Sequence, residues 1–122
     1  MKHESSFATA AVLAAALACG STLAVADDPG VQLKGEQITS VFSGHKISGT
    51  TPAGKTFTGD YKADGTVEWS GGISGKWWVD GNQYCDQPAN DKTYCRTIYK
   101  TGEKQYQFYR PDGSKGAALT LE

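Results

Sequence analysis

Asp60 and Glu68 are the carboxylates whose spacing could bring acid/base chemistry to this chain. Asp64-Gly65 lies midway between them, and a turn there folds one strand back on the other. A two-residue loop would set Tyr61 against Glu68 and Lys62 against Val67, mixing polar and apolar side chains on both faces. A three-residue loop closed by a left-handed Gly65 instead pairs Tyr61 with Val67 and Gly59 with Trp69. Phe57 then shares their face, and Asp60, Lys62 and Glu68 take the other. A one-residue slip flips every side chain, so the pattern selects the second register. Asp60 and Glu68 become direct cross-strand neighbours with β-carbons about 5 Å apart. Two carboxylates that close repel, the arrangement from which an acid/base pair is made. The plainer reading is a solvated outer face relieved by Lys62, since no residues around them signal a cleft.

Other chemistry has fewer residues to draw on. The chain has 2 His, and His45 is accompanied by neither a Gly-x-Ser-x-Gly elbow nor a catalytic-looking cysteine. Water or the dipole of a preceding helix accounts for a histidine at that place. No His-x-x-x-His pair is present, and Asp86, Asn90 and Asp91 lack the calcium-loop pattern. The expectation is no catalytic residue, no metal and no cofactor. With 12 Lys+Arg, 13 Asp+Glu and no basic cluster, the chain does not read as a nucleic-acid binder.

The 3 cysteines divide by position. Residues 5–26 are uncharged, with Lys2 before an Ala-rich apolar run and Ala24-Val25-Ala26 before Asp27. Small residues at −3 and −1 suit a signal peptidase, so a signal peptide is expected over 1–26. A flexible leader over 27–32 and a single β domain over 33–122 follow, the length of one ordinary domain. Cleavage discards Cys19 and leaves Cys85 and Cys95, an even number in an oxidising compartment, so they are expected to join. Their spacing is not the Cys-x-x-Cys of a redox pair. The expected setting is the periplasm or the outside of the cell, with no transmembrane span after processing. The alternatives are an uncleaved membrane anchor of about 20 residues and lipidation at Cys19, because Leu17-Ala18-Cys19-Gly20 looks somewhat like a lipobox.

The elements that must position these side chains are mostly strands. Ile38, Val41 and Phe42 fall at i, i+3 and i+4, the only helical pattern, and Gly44 suits a left-handed helix end. Leu33 can pack on Ile38 as a staple, with Lys34, a poor cap, at the helix start. Strands are expected near 46–51, 55–62, 66–70, 73–79, 82–86, 94–100, 104–110 and 115–121. Turns fall at Asp64-Gly65, Asp80-Gly81, Thr101-Gly102 and Pro111-Asp112-Gly113, where glycine supplies a positive φ. The fold class is therefore mostly all-β. An antiparallel meander of seven or eight strands curls into a small barrel or sandwich, with one short N-terminal helix.

Aromatic residues are the most suggestive functional feature. Strand geometry sends one member of Trp77-Trp78, and one of Phe108-Tyr109, to each face. Trp78 and Tyr109, with Trp77 and Trp69, are the candidate binding residues: a stacking platform for a sugar or another flat apolar ligand, or anchors for a protein. The alternative is that they pack beneath the helix or fill a barrel.

Leu33-x-Gly35-x-x-Ile38-x-x-x-Phe42-x-Gly44, then Gly49-Thr50, Asp64-Gly65-Thr66, Gly75-x-Trp77 and Cys85, resemble a family of small exported alphaproteobacterial proteins catalogued as a domain of unknown function. The resemblance spans about residues 33 to 115, rests on turn glycines and core aromatics, and implies a periplasmic or envelope setting without catalytic residues. The expected function is a non-catalytic binding or interaction module with an unidentified protein or small-molecule partner in the envelope. One alternative is a hydrolase inhibitor presenting the 86–93 loop. Another is a carrier of a small apolar ligand in a cavity lined by Phe57, Tyr61, Trp69 and Trp77.

Overall fold

Phe42 is fully buried among four other aromatic rings, and the chain is built around it. The computed structural model describes residues 30–122. The expected signal peptide, Cys19 and residues 27–29 of the leader lie outside them. The helix α1, Gly35–Phe42, presents Ile38 and Phe42 to the core. Its start is capped by two side-chain oxygens: the Gly35 N–H donates to Asn82 Oδ1, far along the chain, at 3.0 Å, and the Lys34 N–H to Gln37 Oε1 of the helix itself at 2.7 Å. Lys34 contributes no side-chain cap, as its chemistry predicts. Gly44, at φ 77°, ends the helix as expected.

All eight strand segments expected from the sequence form strands: β2 Lys46–Thr50, β3 Thr56–Tyr61, β4 Thr66–Trp69, β5 Ile73–Asp80, β6 Gln83–Pro88, β7 Tyr94–Gly102, β8 Gln105–Tyr109 and β9 Lys115–Leu121. Each pairs antiparallel with the next, and β9 returns to β2 with Ile47 opposite Leu121, closing an eight-stranded barrel. The β3–β4 register is Gly59↔Trp69, Asp60↔Glu68 and Tyr61↔Val67, with Gly65 at φ 93°. Asp64 Oδ1 fastens that turn by accepting from the Thr66 N–H at 2.9 Å and hydroxyl at 2.6 Å, and Asp112 does the same for Ser114. Those bonds hold both carboxyls below the usual range.

Two local expectations need correction. Val31 and Gln32, read as leader, form a short strand β1 against Lys100 and Tyr99 of β7. Beyond its pairing with β6, β7 presents free backbone groups that this segment satisfies. The turn read at Thr101-Gly102 lies further on: Gly102 pairs with Gln105, and Lys104 takes the positive φ of 58°. A bulge between Lys100 and Gly102 absorbs a residue and carries the turn along the chain.

Strand alternation sends Ile47, Tyr61, Val67, Trp77, Tyr84, Ile98, Tyr106, Phe108 and Leu119 into the core. Phe42 stacks on Tyr84 at 4.7 Å and meets Tyr61 edge-on at 4.8 Å, so α1 plugs one end of the barrel with a solid aromatic cluster. Cys85 and Cys95 are directly opposite on β6 and β7 and are joined by a disulfide.

Candidate functional site

The end opposite α1 is open. Loops after β2, β4, β6 and β8 surround a concavity of about 1180 Å³ whose wall and floor include Phe57, Trp69, Tyr61, Asp86, Arg96 and Phe108. Trp69 lies on the wall because its neighbours lack side chains. A Cβ on Gly59 would stand 3.0 Å from Trp69 Cδ1, and one on Gly75 2.9 Å from Cζ3. The indole is thus seated across two glycines of the flanking strands.

A one-way hydrogen-bond chain runs from that indole to the floor. Trp69 Nε1–H donates to the Tyr61 hydroxyl at 3.2 Å, and the Tyr61 and Tyr84 hydroxyls are 3.0 Å apart. Tyr84 donates to Asp86 Oδ2 at 2.7 Å. With its single proton committed there, Tyr84 accepts from Tyr61, which fixes every proton in the chain. Burial raises the Tyr61 phenol and carries Tyr84 well above the usual phenolic range. Both rings are therefore neutral donors at physiological pH.

Asp86 is 6% exposed, a rare position for a carboxylate. Its charge partner is Arg96, whose Nη1 donates to Oδ2 at 3.2 Å. The guanidinium also lies over the Phe108 ring at 5.2 Å and the Tyr94 ring at 5.6 Å, where the ring faces favour a cation. Asp86 Oδ1 is buried and accepts no hydrogen bond from the described residues. Buried polar atoms are almost always paired, so an unpaired oxygen on a residue that lines a concavity asks for a reason.

No family profile, curated protein or solved structure matches this chain.

The structure distributes the sequence-derived candidates among separate places. Trp69 lines the mouth, whereas Trp77 lies beneath it against Phe42 and Tyr61, its Nε1–H held by the Lys62 carbonyl at 3.0 Å. Trp78 points outward opposite Cys85 and is 37% exposed. Tyr109 is on the outer face of β8, three strands away, and packs edge-on against Tyr99 at 5.1 Å. Trp78 and Tyr109 are therefore not one platform. Asp60 and Glu68 are opposite each other on an exposed outer face, with Lys62 Nζ 3.6 Å from Glu68. Neither lines the mouth.

The 86–93 loop is shorter than expected. Residues 86–88 belong to β6, and Asp86 points into the barrel instead of standing on a loop. Arg96 and the inward role of Asp86 escaped sequence reading. The signal was present in the cysteines: once Cys85 and Cys95 are paired on one face, alternation puts Tyr84, Asp86, Tyr94 and Arg96 together on the other.

Proposed function

We propose that this chain is a non-catalytic binding module of an oxidising extracytoplasmic compartment, and that its ligand is a small molecule held in the open end of the barrel. The observation that carries this reading is Asp86, which lines the open concavity beside Arg96 and whose buried Oδ1 accepts no hydrogen bond from the described residues. A mostly apolar wall with a few convergent polar groups is the common form of a small-molecule site. The Cys85–Cys95 disulfide is consistent with an oxidising location. Among the described residues no helix is long and apolar enough to cross a membrane.

Phe57, Tyr61 and Trp69 line the cavity as the carrier alternative requires, while Trp77 is packed below it. A charged pair at the floor makes a purely apolar cargo a poor fit, which favours a ligand with a polar end. A ligand-observed NMR fragment screen tests the proposal. Hits are expected to compete for one site, to change the emission of Trp69, and to vanish in Trp69→Ala while Trp78→Ala leaves them intact. Hits that depend on Trp78 or Tyr109 instead, or no hits, would overturn it.

A further inference from the structure

Resting on that site, we infer that the ligand carries a neutral head group with a hydrogen-bond donor beside an acceptor, a carboxamide being the simplest, on an apolar body. The floor of the mouth holds one charge of each sign. Asp86 Oδ2 is occupied by the Tyr84 hydroxyl and Arg96 Nη1, whereas Oδ1 has capacity for a donor. The Arg96 side chain makes a single hydrogen bond among the described residues, so the rest of its five-donor fork is available to an acceptor.

An anionic head that reaches the guanidinium also meets the Asp86 carboxylate. A cationic head that reaches the carboxylate meets Arg96. Like charges brought together in a partly desolvated site repel strongly, so each ionic head gains one contact and is penalised by the other. A neutral donor–acceptor head satisfies both partners. Oδ1 is closed to solvent in this structure. A donor reaches it only if the side chains around the pair give way, and of the two partners the arginine, held by one nitrogen and 24% exposed at its side chain against 8% for Asp86, is the more accessible. The apolar body then lies along Trp69 and Phe57. Lys55, Lys92 and Arg110 stand around the mouth and Asp91 beside them, a surplus of positive charge that would select an anion if surface charge governed binding.

Benzamide, benzoate and benzylammonium share one ring and differ in the charge of the head. Titrated into the protein at pH 7 and followed by Trp fluorescence and NMR, benzamide is expected to bind at least tenfold more tightly than either ion. A vicinal diol offers the same neutral chemistry, and phenyl β-glucoside is the arm that distinguishes it: tighter binding than benzamide assigns the head to a sugar. Asp86→Asn should move the preference to benzoate and Arg96→Met to benzylammonium. The wild-type ranking decides the matter even where those variants do not fold. Benzoate or benzylammonium equal to or better than benzamide overturns the inference while leaving the mouth as the site. Absence of all four probes from a mouth that other fragments occupy does the same, and a mouth that takes no fragment removes the site itself.

Discussion

Arg96 reaches diagonally across the β6–β7 ladder to Asp86, Nη1 to Oδ2 at 3.2 Å, immediately beside the Cys85–Cys95 pair. The carboxylate has been taken out of water, and the guanidinium is its only cationic partner at hydrogen-bonding range among the described residues. Breaking a buried pair from one side strands the other charge. Arg96→Met is therefore expected to cost about 3 kcal/mol in urea denaturation, the lower part of the range for such pairs because the arginine is partly exposed. Adding Asp86→Asn should return part of that loss. Additive losses in this double-mutant cycle would show that the two side chains do not act as a pair.

Gly59 and Gly75 make room for Trp69, and the wall of the mouth depends on that room. A methyl at Gly59 would meet Tyr61 Cε1 at 2.7 Å and Trp69 Cδ1 at 3.0 Å. Gly59→Ala should destabilise the chain by about 1–3 kcal/mol, as overpacking does. It should also shift the Trp69 emission by moving the indole into the lumen. With Trp77→Phe and Trp78→Phe as the background, that emission reports Trp69 alone, and an unchanged spectrum would mean that the indole is not seated on the glycine.

Much of this architecture is legible in the residues, and the remainder has a physical cause. Local signals sufficed for the eight barrel strands and for the Tyr61–Val67 register, because turn glycines and period-2 alternation act within a hairpin. Closure of β2 on β9 joins Ile47 to Leu121 and leaves no local trace, so barrel and sandwich stayed equivalent alternatives. β1 has two residues, too few for any periodicity. The aromatic surplus suggested an outer platform through Trp78 and Tyr109, but most of those rings fill the core. The polar floor was hidden because Asp86 sits among turn-forming types, Gln87 to Asp91, and its burial is set by the neighbouring strand.

Tyr61 and Tyr84 make stability fall on the alkaline side. Burial raises both phenols above their ordinary 10.0, so the folded chain holds these protons more tightly than the unfolded chain. Their contribution is complete below that value and is lost as pH rises through the folded-state values. The melting temperature should decline above about pH 10, with phenolate absorbance from these two rings appearing only as the chain unfolds. Tyr61→Phe with Tyr84→Phe should flatten the decline while lowering stability at neutral pH through loss of the bond to Asp86. A slope unaltered by the double substitution would assign the alkaline loss to other groups.

The disulfide links the compartment to the site. It closes a segment of sequence separation 10 between adjacent strands, for which loop-closure entropy gives about 2–3 kcal/mol. Cys85→Ser with Cys95→Ser should lower stability by that amount in urea. The more specific consequence is local. Asp86 and Tyr94 are the next pair along the ladder, and Tyr84 and Arg96 the pair before, so the bonded cysteines hold the register of all four inward residues. Loosening this stretch should weaken ligand binding at the mouth while leaving the aromatic plug around Phe42 protected from hydrogen exchange. Thiol labelling of the native protein without reductant should find Cys85 and Cys95 unreactive. Full labelling of both in folded material would separate the strand pairing from the sulfur bond and remove the argument for an oxidising compartment.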